Sequence, residues 1–532
     1  MGTILLESTD MFSFKTKPFD HQLREFEQHA REEYRGLLFE QRTGKSKVIL
    51  DSASLLHSEG RINALFILAP NGVHRNWVSE EIPIHLPDWV ERQAVVWTGA
   101  DTKKQERALE SLFNPGNHLR IFTMNIEAIG TKRGFAFAQR FLRATEAMFV
   151  VDESTRIKNP DIVTVKNLMK LRDLSRYRRI LNGTPITQGP LDMYSQLLFL
   201  SDEAVPVQSY VAFRNRYAEY ASTQNYLVKK IMRDNLLRAG KYDIVRKLDA
   251  GEIDADDHML RRWVPVIQAT DEEGRPRYKN LDELKEWVDK CCTRVLRKDC
   301  SDIPEKLYKR WSVEYPAAQE KLVQKYLNDI KHGYTPEPVN KLSAVMYYQQ
   351  MLCGRIPRQL SETGEGILMY ENPMDNPRIK AVLEVADAYP GDQIIFWARF
   401  KHDLHTISNV LEEQTGENVA RYWGDISNND RELSKQNFQA GKAKFFVGQP
   451  GAGGVGLPLH AAGVIAYHSN TFSLYHRLQS EDRAENMMKT QGTVVIDMEV
   501  PGTVDTKIIT ALRDKKDVAD LITGDESVDW LS

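Results

Sequence analysis

Short apolar runs recur through the first two hundred residues, at 36–39, 64–68, 94–97, 119–124, 147–151 and 179–181. Helix-like segments separate them, and this alternation predicts a parallel sheet covered by helices. From about 202 to 298 the pattern changes to long charged helical segments, including 225–249 and 281–295, with no strand expected. A second helical stretch follows at about 317–352. Strand–helix alternation then returns with the runs 394–397, 444–447, 464–467 and 493–497. The expectation is an α/β protein with a first lobe at 1–200, a helical insertion at 201–298, a linker with a second helical protrusion at 299–372, and a second lobe at 373–532. No repeat of fixed period links the lobes.

The 532 residues correspond to three or four units at about 150 residues each. Apolar residues make up 42%, which excludes wholesale disorder. The longest apolar stretches, such as 64–70 and 147–151, fall short of the roughly 18 residues a membrane-spanning helix needs. Residues 1–12 lack a basic n-region, so no secretory signal is expected and an intracellular, cytoplasmic setting is. Cys291, Cys292, Cys300 and Cys353 form no CxxC pair and no Cys/His cluster of metal-binding spacing, so they read as buried free thiols. With 71 Lys and Arg against 74 Asp and Glu, the net charge is −3. Any nucleic-acid site must therefore be a local patch.

Two motifs carry chemistry. Glu40-Gln41-Arg42-Thr43-Gly44-Lys45-Ser46 follows an apolar strand and precedes a helix, the context of a phosphate-binding loop. Amides at the helix start would cradle phosphate oxygens, Lys45 would neutralise them, and the Ser46 hydroxyl would ligate Mg2+. The first Gly of the full pattern is replaced by Phe39, and a bare Gly-Lys-Ser is also common surface-turn sequence. The second motif is a buried strand, 147–151, that delivers Asp152 and Glu153 to its carboxyl end, where ligands bind in such sheets. Asp152 would hold Mg2+ and Glu153 would orient or deprotonate the attacking water. An Asp-Glu pair can also simply cap the next helix.

With these two motifs in place, the sequence resembles the superfamily-two helicases, and among them the Swi/Snf-type DNA translocases, over roughly residues 15–515. Pro18-Phe19-Asp20-His21-Gln22 looks like the family's adenine-recognition segment. Pro70, Asn76-Trp77 and Glu80 match its Pro…Asn-Trp-x-x-Glu block, and 123–127 resembles the next. Asp152-Glu153-Ser154-Thr155-Arg156-Ile157-Lys158-Asn159 follows Asp-Glu-Ala-His-Arg-Ile-Lys-Asn, and Leu181-Asn182-Gly183-Thr184-Pro185-Ile186 is close to Leu-Thr-Gly-Thr-Pro-Ile. Tyr278-Lys279-Asn280-Leu281, Val295-Leu296-Arg297-Lys298 and 303–306 look like the stretch joining the family's lobes. Residues 394–400 resemble motif four. Ala452-Gly453-Gly454-Val455-Gly456-Leu457 matches motif five, and Gln479-Ser480-Glu481-Asp482-Arg483-Ala484 opens motif six.

The resemblance implies two RecA-like lobes flanking the insertion and a DNA-dependent ATPase that uses ATP and Mg2+. It gives catalytic roles to Lys45, Asp152, Glu153, Gln479 and Arg483, and nucleotide contacts to Gln22, Thr43, Gly44, Lys45, Ser46, Gly454 and Gly456. It implies DNA contacts for Asn71, Thr123, Arg156, Lys158, Thr184, Ser427 and Arg431. Double-stranded DNA, forked or branched forms included, is the implied partner, and a two-lobed motor needs no second subunit to close its site. The leanness of the chain sets the expectation of a prokaryotic or phage member.

Three departures stand out: Arg42 for the usual Gly, Thr155 for the motif-two His, and Asn486 for the second motif-six Arg. Either Arg483 alone then supplies the charge at the γ-phosphate, or another cation such as Arg42 or Arg477 compensates. Two basic clusters are candidate DNA grips or plain solvated helix faces: Arg156, Lys158, Lys166, Lys170, Arg172, Arg176, Arg178 and Arg179 in the first lobe, and Lys229, Lys230, Arg233, Arg238, Lys241, Arg246, Lys247, Arg261 and Arg262 in the insertion. A fork-remodelling or annealing helicase, and a catalytically weak ATP- and DNA-binding scaffold, are the alternatives to a translocase.

Overall fold

The computed structural model describes residues 12–523, apart from 100–101, 223, 256, 258–259, 261–262, 265–266, 272–275, 301–305, 336–338, 362–364, 452–458 and 486–490. Two parallel sheets organise it. The first contains β1 (Tyr34–Phe39), β2 (Ala64–Ala69), β3 (Arg92–Val96), β4 (Leu119–Asn125), β5 (Ala147–Asp152), β6 (Tyr177–Leu181) and β7 (Cys292–Val295), in the order β3-β4-β2-β5-β6-β1-β7. The second contains β8 (Leu307–Ser312), β11 (Gln393–Trp397), β12 (Val419–Tyr422), β13 (Phe445–Gly448), β14 (Ala462–Tyr467) and β15 (Val494–Glu499), in the order β12-β13-β11-β14-β15-β8. The short strands β9 (Arg355–Ile356) and β10 (Ile367–Leu368) form a separate antiparallel pair between them in sequence.

The central strands are apolar throughout because helices cover both faces of each sheet. Every residue of β2 and β5 is buried. Phe66, Phe122 and Phe149 stack on one face of the first sheet, and Ile49, Ile67 and Val150 pack on the other. The second sheet is likewise enclosed by two apolar clusters, one around Phe396 and Ile496 and one around Trp397 and Phe446.

The sequence boundaries shift at two places. The segment 281–295 is not one helix: helix Leu281–Cys291 stops, and β7 turns back to pair in parallel with β1. The first sheet thus ends inside the stretch assigned to the helical insertion. Similarly, β8 lies in the stretch assigned to the linker, yet it pairs along its whole length with β15 and forms an edge of the second sheet. Both are edge strands with polar residues, so alternation of solvent and core hides them from an apolar-run search. The insertion's helices, Tyr226–Arg238 and Tyr242–Asp249, pack around a small core of their own, including Met232, Leu236 and Val245.

Candidate nucleotide site and lobe interface

The loop 40–44 joins β1 to helix Lys45–Ser58 at the carboxyl edge of the first sheet. Gly44 has φ +82, and a Cβ there would fall 2.0 Å from Gln22 Nε2. That close approach lets the Gln22 amide donate to the Thr43 carbonyl at 3.0 Å, while its carbonyl accepts from the Phe19 amide at 3.0 Å. His21 Nε2 also lies 2.8 Å from the Thr43 carbonyl. Residues 18–22 are therefore locked onto the loop itself. Thr43 is buried, its hydroxyl donating to the Glu40 carbonyl.

The Lys45 amine is buried and donates to the carbonyls of Phe39 at 2.8 Å and Glu40 at 3.2 Å. Burial lowers its affinity for a proton, and Glu153 and Asp152 oppose that change. Asp152 ends β5, accepting from the Trp77 indole at 3.0 Å and from the Glu153 amide at 2.9 Å. Burial raises its carboxyl above the ordinary range. Glu153 accepts from Gln41 Nε2 at 2.8 Å. Burial, with the Asp152 charge adding to it, pushes Glu153 up to about 7. Ser46 at the helix start bonds to Glu81, a carboxylate that burial raises.

These residues suit a nucleotide and its metal. Ser46 and Asp152 offer hard oxygen donors, the ligand type Mg2+ prefers. The glycine-tight loop has no room for a side chain at Gly44, and an amine already held by carbonyl oxygens is directed where phosphate oxygens would replace them. Sequence pattern alone missed Gln41, Trp77 and Glu81 as direct partners of the site residues, although Trp77 stands in the Asn-Trp-x-x-Glu block.

Second-lobe residues meet this edge through a charged interface. Arg297 follows β7, and its amide donates to Glu40 at 2.8 Å while its guanidinium pairs with Asp482 at 3.2 Å and Glu485 at 3.4 Å. Lys306, just before β8, pairs with Glu481 at 3.1 Å and Asp482 at 3.2 Å. Burial alone would raise Asp482, but Lys306 and Arg297 hold it below the ordinary carboxylate range. Arg42, at φ +66, donates from Nη2 to the Arg483 carbonyl at 3.3 Å.

The Arg483 guanidinium itself lies 5.3 Å over the Trp397 ring within the second lobe. Burial lowers it to about 10. Gln479 donates to the Tyr475 hydroxyl at 3.3 Å, and the exposed Arg156 of the first lobe lies 5.4 Å from that tyrosine's ring. Arg477 is not available as a supplementary cation. It is fully buried, pairs with Asp497 and Glu481, and stacks 3.7 Å over Tyr467. Arg42 and Arg297, like Arg156, are placed between the lobes. Gly454, Gly456 and Asn486 lie outside the described residues.

Most of the first-lobe basic cluster is structural. Arg172 pairs with Asp202 and Arg176 with Glu33, Arg178 donates to the carbonyls of Leu200 and Ser175, and the buried Arg179 donates to the carbonyls of Ala30 and Glu32. Lys158 pairs with Asp192 at 3.2 Å. Arg156, Lys166, Lys170 and Arg176 remain exposed, the last paired with the exposed Glu33. Of the other residues expected on DNA, Thr123 is fully buried and Thr184 is held by the Asn182 side chain, whereas Ser427 caps helix Asn428–Gln439 and Arg431 lies over the Tyr422 ring. In the insertion, Arg233 pairs with Asp249, and Arg261 and Arg262 lie outside the described residues.

Two cavities that carry arginines and amides among their lining residues open near the carboxyl ends of strands. Asn71, Arg75, Asn125 and Arg133 line one of 430 Å3 in the first lobe. Arg355, Arg358, Arg399, Lys401 and His402 line one of 810 Å3 in the second. No helix among the described residues is long and apolar enough to cross a membrane.

Comparison with known proteins matches residues 22–352 to the SNF2-related domain and residues 377–487 to the helicase conserved C-terminal domain. Chromodomain-helicase-DNA-binding protein 1-like from Danio rerio is 22% identical over 475 residues, covering 87% of this chain and 39% of that protein. DNA repair and recombination protein RAD54-like from Drosophila erecta is 23% identical over 214 residues, covering 38% of this chain and 25% of that protein. The chain spans about two fifths of the length of the first of these relatives. The solved Sulfolobus solfataricus SWI2/SNF2 ATPase core in complex with dsDNA aligns over 97% of this chain and 95% of that one, at 18% identity and a TM-score of 0.39. The SNF2-related match alone takes in well over half of the residues, and the chain belongs to the SNF2-related family of superfamily-two ATPases.

Proposed function

We propose that the protein hydrolyses ATP and uses the cycle to move along or remodel duplex DNA. The observation that carries this is the buried Lys45 amine, held by carbonyls of the phosphate loop and coupled to Asp152 and Glu153 at the edge of one parallel sheet. Ser46 and Asp152 would hold Mg2+, which when bound neutralises charge developing on the phosphate oxygens. Lys45 exchanges its carbonyl partners for the phosphates. Glu153, oriented by Gln41 and carrying a raised pKa, is suited to take a proton from the attacking water near neutral pH.

The two cavities are the surfaces we assign to the DNA backbone, because arginines and amides at strand ends can grip phosphates without reading bases. Arg42 and Arg297 couple the nucleotide loop to Asp482 and Glu485, so a change at the phosphates is felt directly by the second lobe.

The test is steady-state ATP hydrolysis with and without linear duplex DNA, using Lys45→Ala as control. Stimulation by duplex that the control abolishes is the expected result. Binding of ATP and DNA without hydrolysis would instead make the protein a clamp. Stronger stimulation by forked than by linear DNA would favour fork remodelling.

A further inference from the structure

We propose that Cys353, Asp403 and His468 form a binding site for a divalent transition-metal ion, zinc by its ligand set. Three separate elements bring them together. Cys353 caps helix Lys341–Leu352, Asp403 lies in the first turn of helix Lys401–Thr415, and His468 follows β14. One donor atom from each lies within 4.8 Å of the other two, and His468 Nδ1 is 3.7 Å from Asp403 Oδ2. Tetrahedral zinc separates such donors by about 3.5 Å, so closing on an ion requires a shift of about 1 Å.

The site is buried, with His468 at 1% exposure and Cys353 and Asp403 at 4% each. Among the described residues, neither ring nitrogen of His468 has a hydrogen-bond partner, nor does Asp403 Oδ2. The Cys353 thiol is within hydrogen-bonding reach of the Asp403 carboxyl. A buried imidazole with both nitrogens unpartnered is costly, and coordination would satisfy it. Thiolate and carboxylate together supply two negative charges for a dication, and the sulfur–nitrogen–oxygen set favours zinc over Mg2+.

The surroundings are already fixed. Gln349 donates to the Asn470 carbonyl at 2.9 Å, Arg399 donates to Gln349 at 3.0 Å, and the Arg399 amide donates to Ser469 at 2.9 Å. Buried Arg378 holds the His468 carbonyl and pairs with Asp505. Three protein ligands leave a fourth position, and Asp403 also lines the 810 Å3 cavity, which gives water a route to it. The ion would tie the helical protrusion to the second sheet. A nucleophilic role for Cys353 is excluded by its burial. The spacing of 50 and then 65 residues between ligands is why no local sequence pattern reveals the site.

The test is cobalt titration of the chelator-stripped full-length chain, with metal content measured on the untreated protein. One equivalent of Co2+ should give visible tetrahedral bands and a thiolate-to-cobalt charge-transfer band, displaced by Zn2+. Cys353→Ser should lose the charge-transfer band, and Cys300→Ser should keep it. Absence of the band in the folded wild-type chain, or its persistence in Cys353→Ser, overturns the proposal. The wild-type titration decides the matter even if the serine variant does not fold.

Discussion

Arg42 and Glu153 occupy the left-handed backbone region at φ 66 and 52, where a non-glycine residue costs about 1 kcal/mol or more. Such strain persists where its surroundings hold it, and here Arg42 lies in the 40–44 loop while Glu153 bonds to it through Gln41. Arg42→Gly should relieve its share of the strain while removing a cation that faces Asp482 and Glu485. The expected outcome is a fall in kcat of about 10³-fold if this arginine stabilises transition-state charge, with little loss of thermal stability; turnover near wild type would return that role to Arg483. Glu153 carries a pH signature. Its carboxyl moves from an ordinary 4.5 to about 7 on folding. The folded state thus retains a proton that the unfolded chain loses. This contribution to stability is complete below about pH 4.5 and lost as pH rises through about 7. Glu153→Gln lacks this dependence, so its melting temperature relative to wild type should rise between about pH 5 and about pH 8, while phosphate release is lost. Lys45, Asp152 and Glu153 were legible in sequence because each sits in a contiguous motif. Gln41, Trp77 and Arg297 were not, because their roles come from partners 112, 75 and 185 positions away.

At the scale of elements, strands buried on both faces announce themselves as apolar runs, and β2, β4, β5, β11 and β14 fall where the pattern predicts. The strands that escape it, β7, β8 and β12, are short or polar, and pairing rather than composition defines them. Several of the basic residues between 156 and 179 are taken up by the fold itself. Charge density suggests a nucleic-acid face, but guanidinium groups also satisfy backbone carbonyls at helix and strand ends, as Arg178 and Arg179 do. Arg297 belongs to this scale as well, since it leads out of β7 and binds groups from both lobes. Arg297→Ala leaves Asp482 and the buried Glu485 short of a counter-charge and should destabilise the fold by about 3 kcal/mol. A lowered urea midpoint, partly restored in Arg297→Lys, checks this expectation.

For the molecule as a whole, net charge is near zero, so DNA affinity would rest on local cations, and the proposed function places it on those lining the strand-end cavities. Replacing both Arg358 and Arg399 with Ala should weaken duplex binding equally for all sequences and flatten the dependence of log affinity on log salt by about 2; an unchanged slope would move the DNA track elsewhere. Among the described residues, two of the places where the lobes are joined define a geometry. One is the crossing from β7 to β8, with Arg297 and Lys306 near its two ends reaching the same Asp482. The other is the contact of helix Val504–Thr523, which follows β15, with helix Leu281–Cys291 of the first lobe. One attachment would act as a ball joint, free in three rotations, whereas two define a line. Any swing that preserves both is confined to the axis through them, like a door on paired hinges, so reclosure would return the same faces into register without a search.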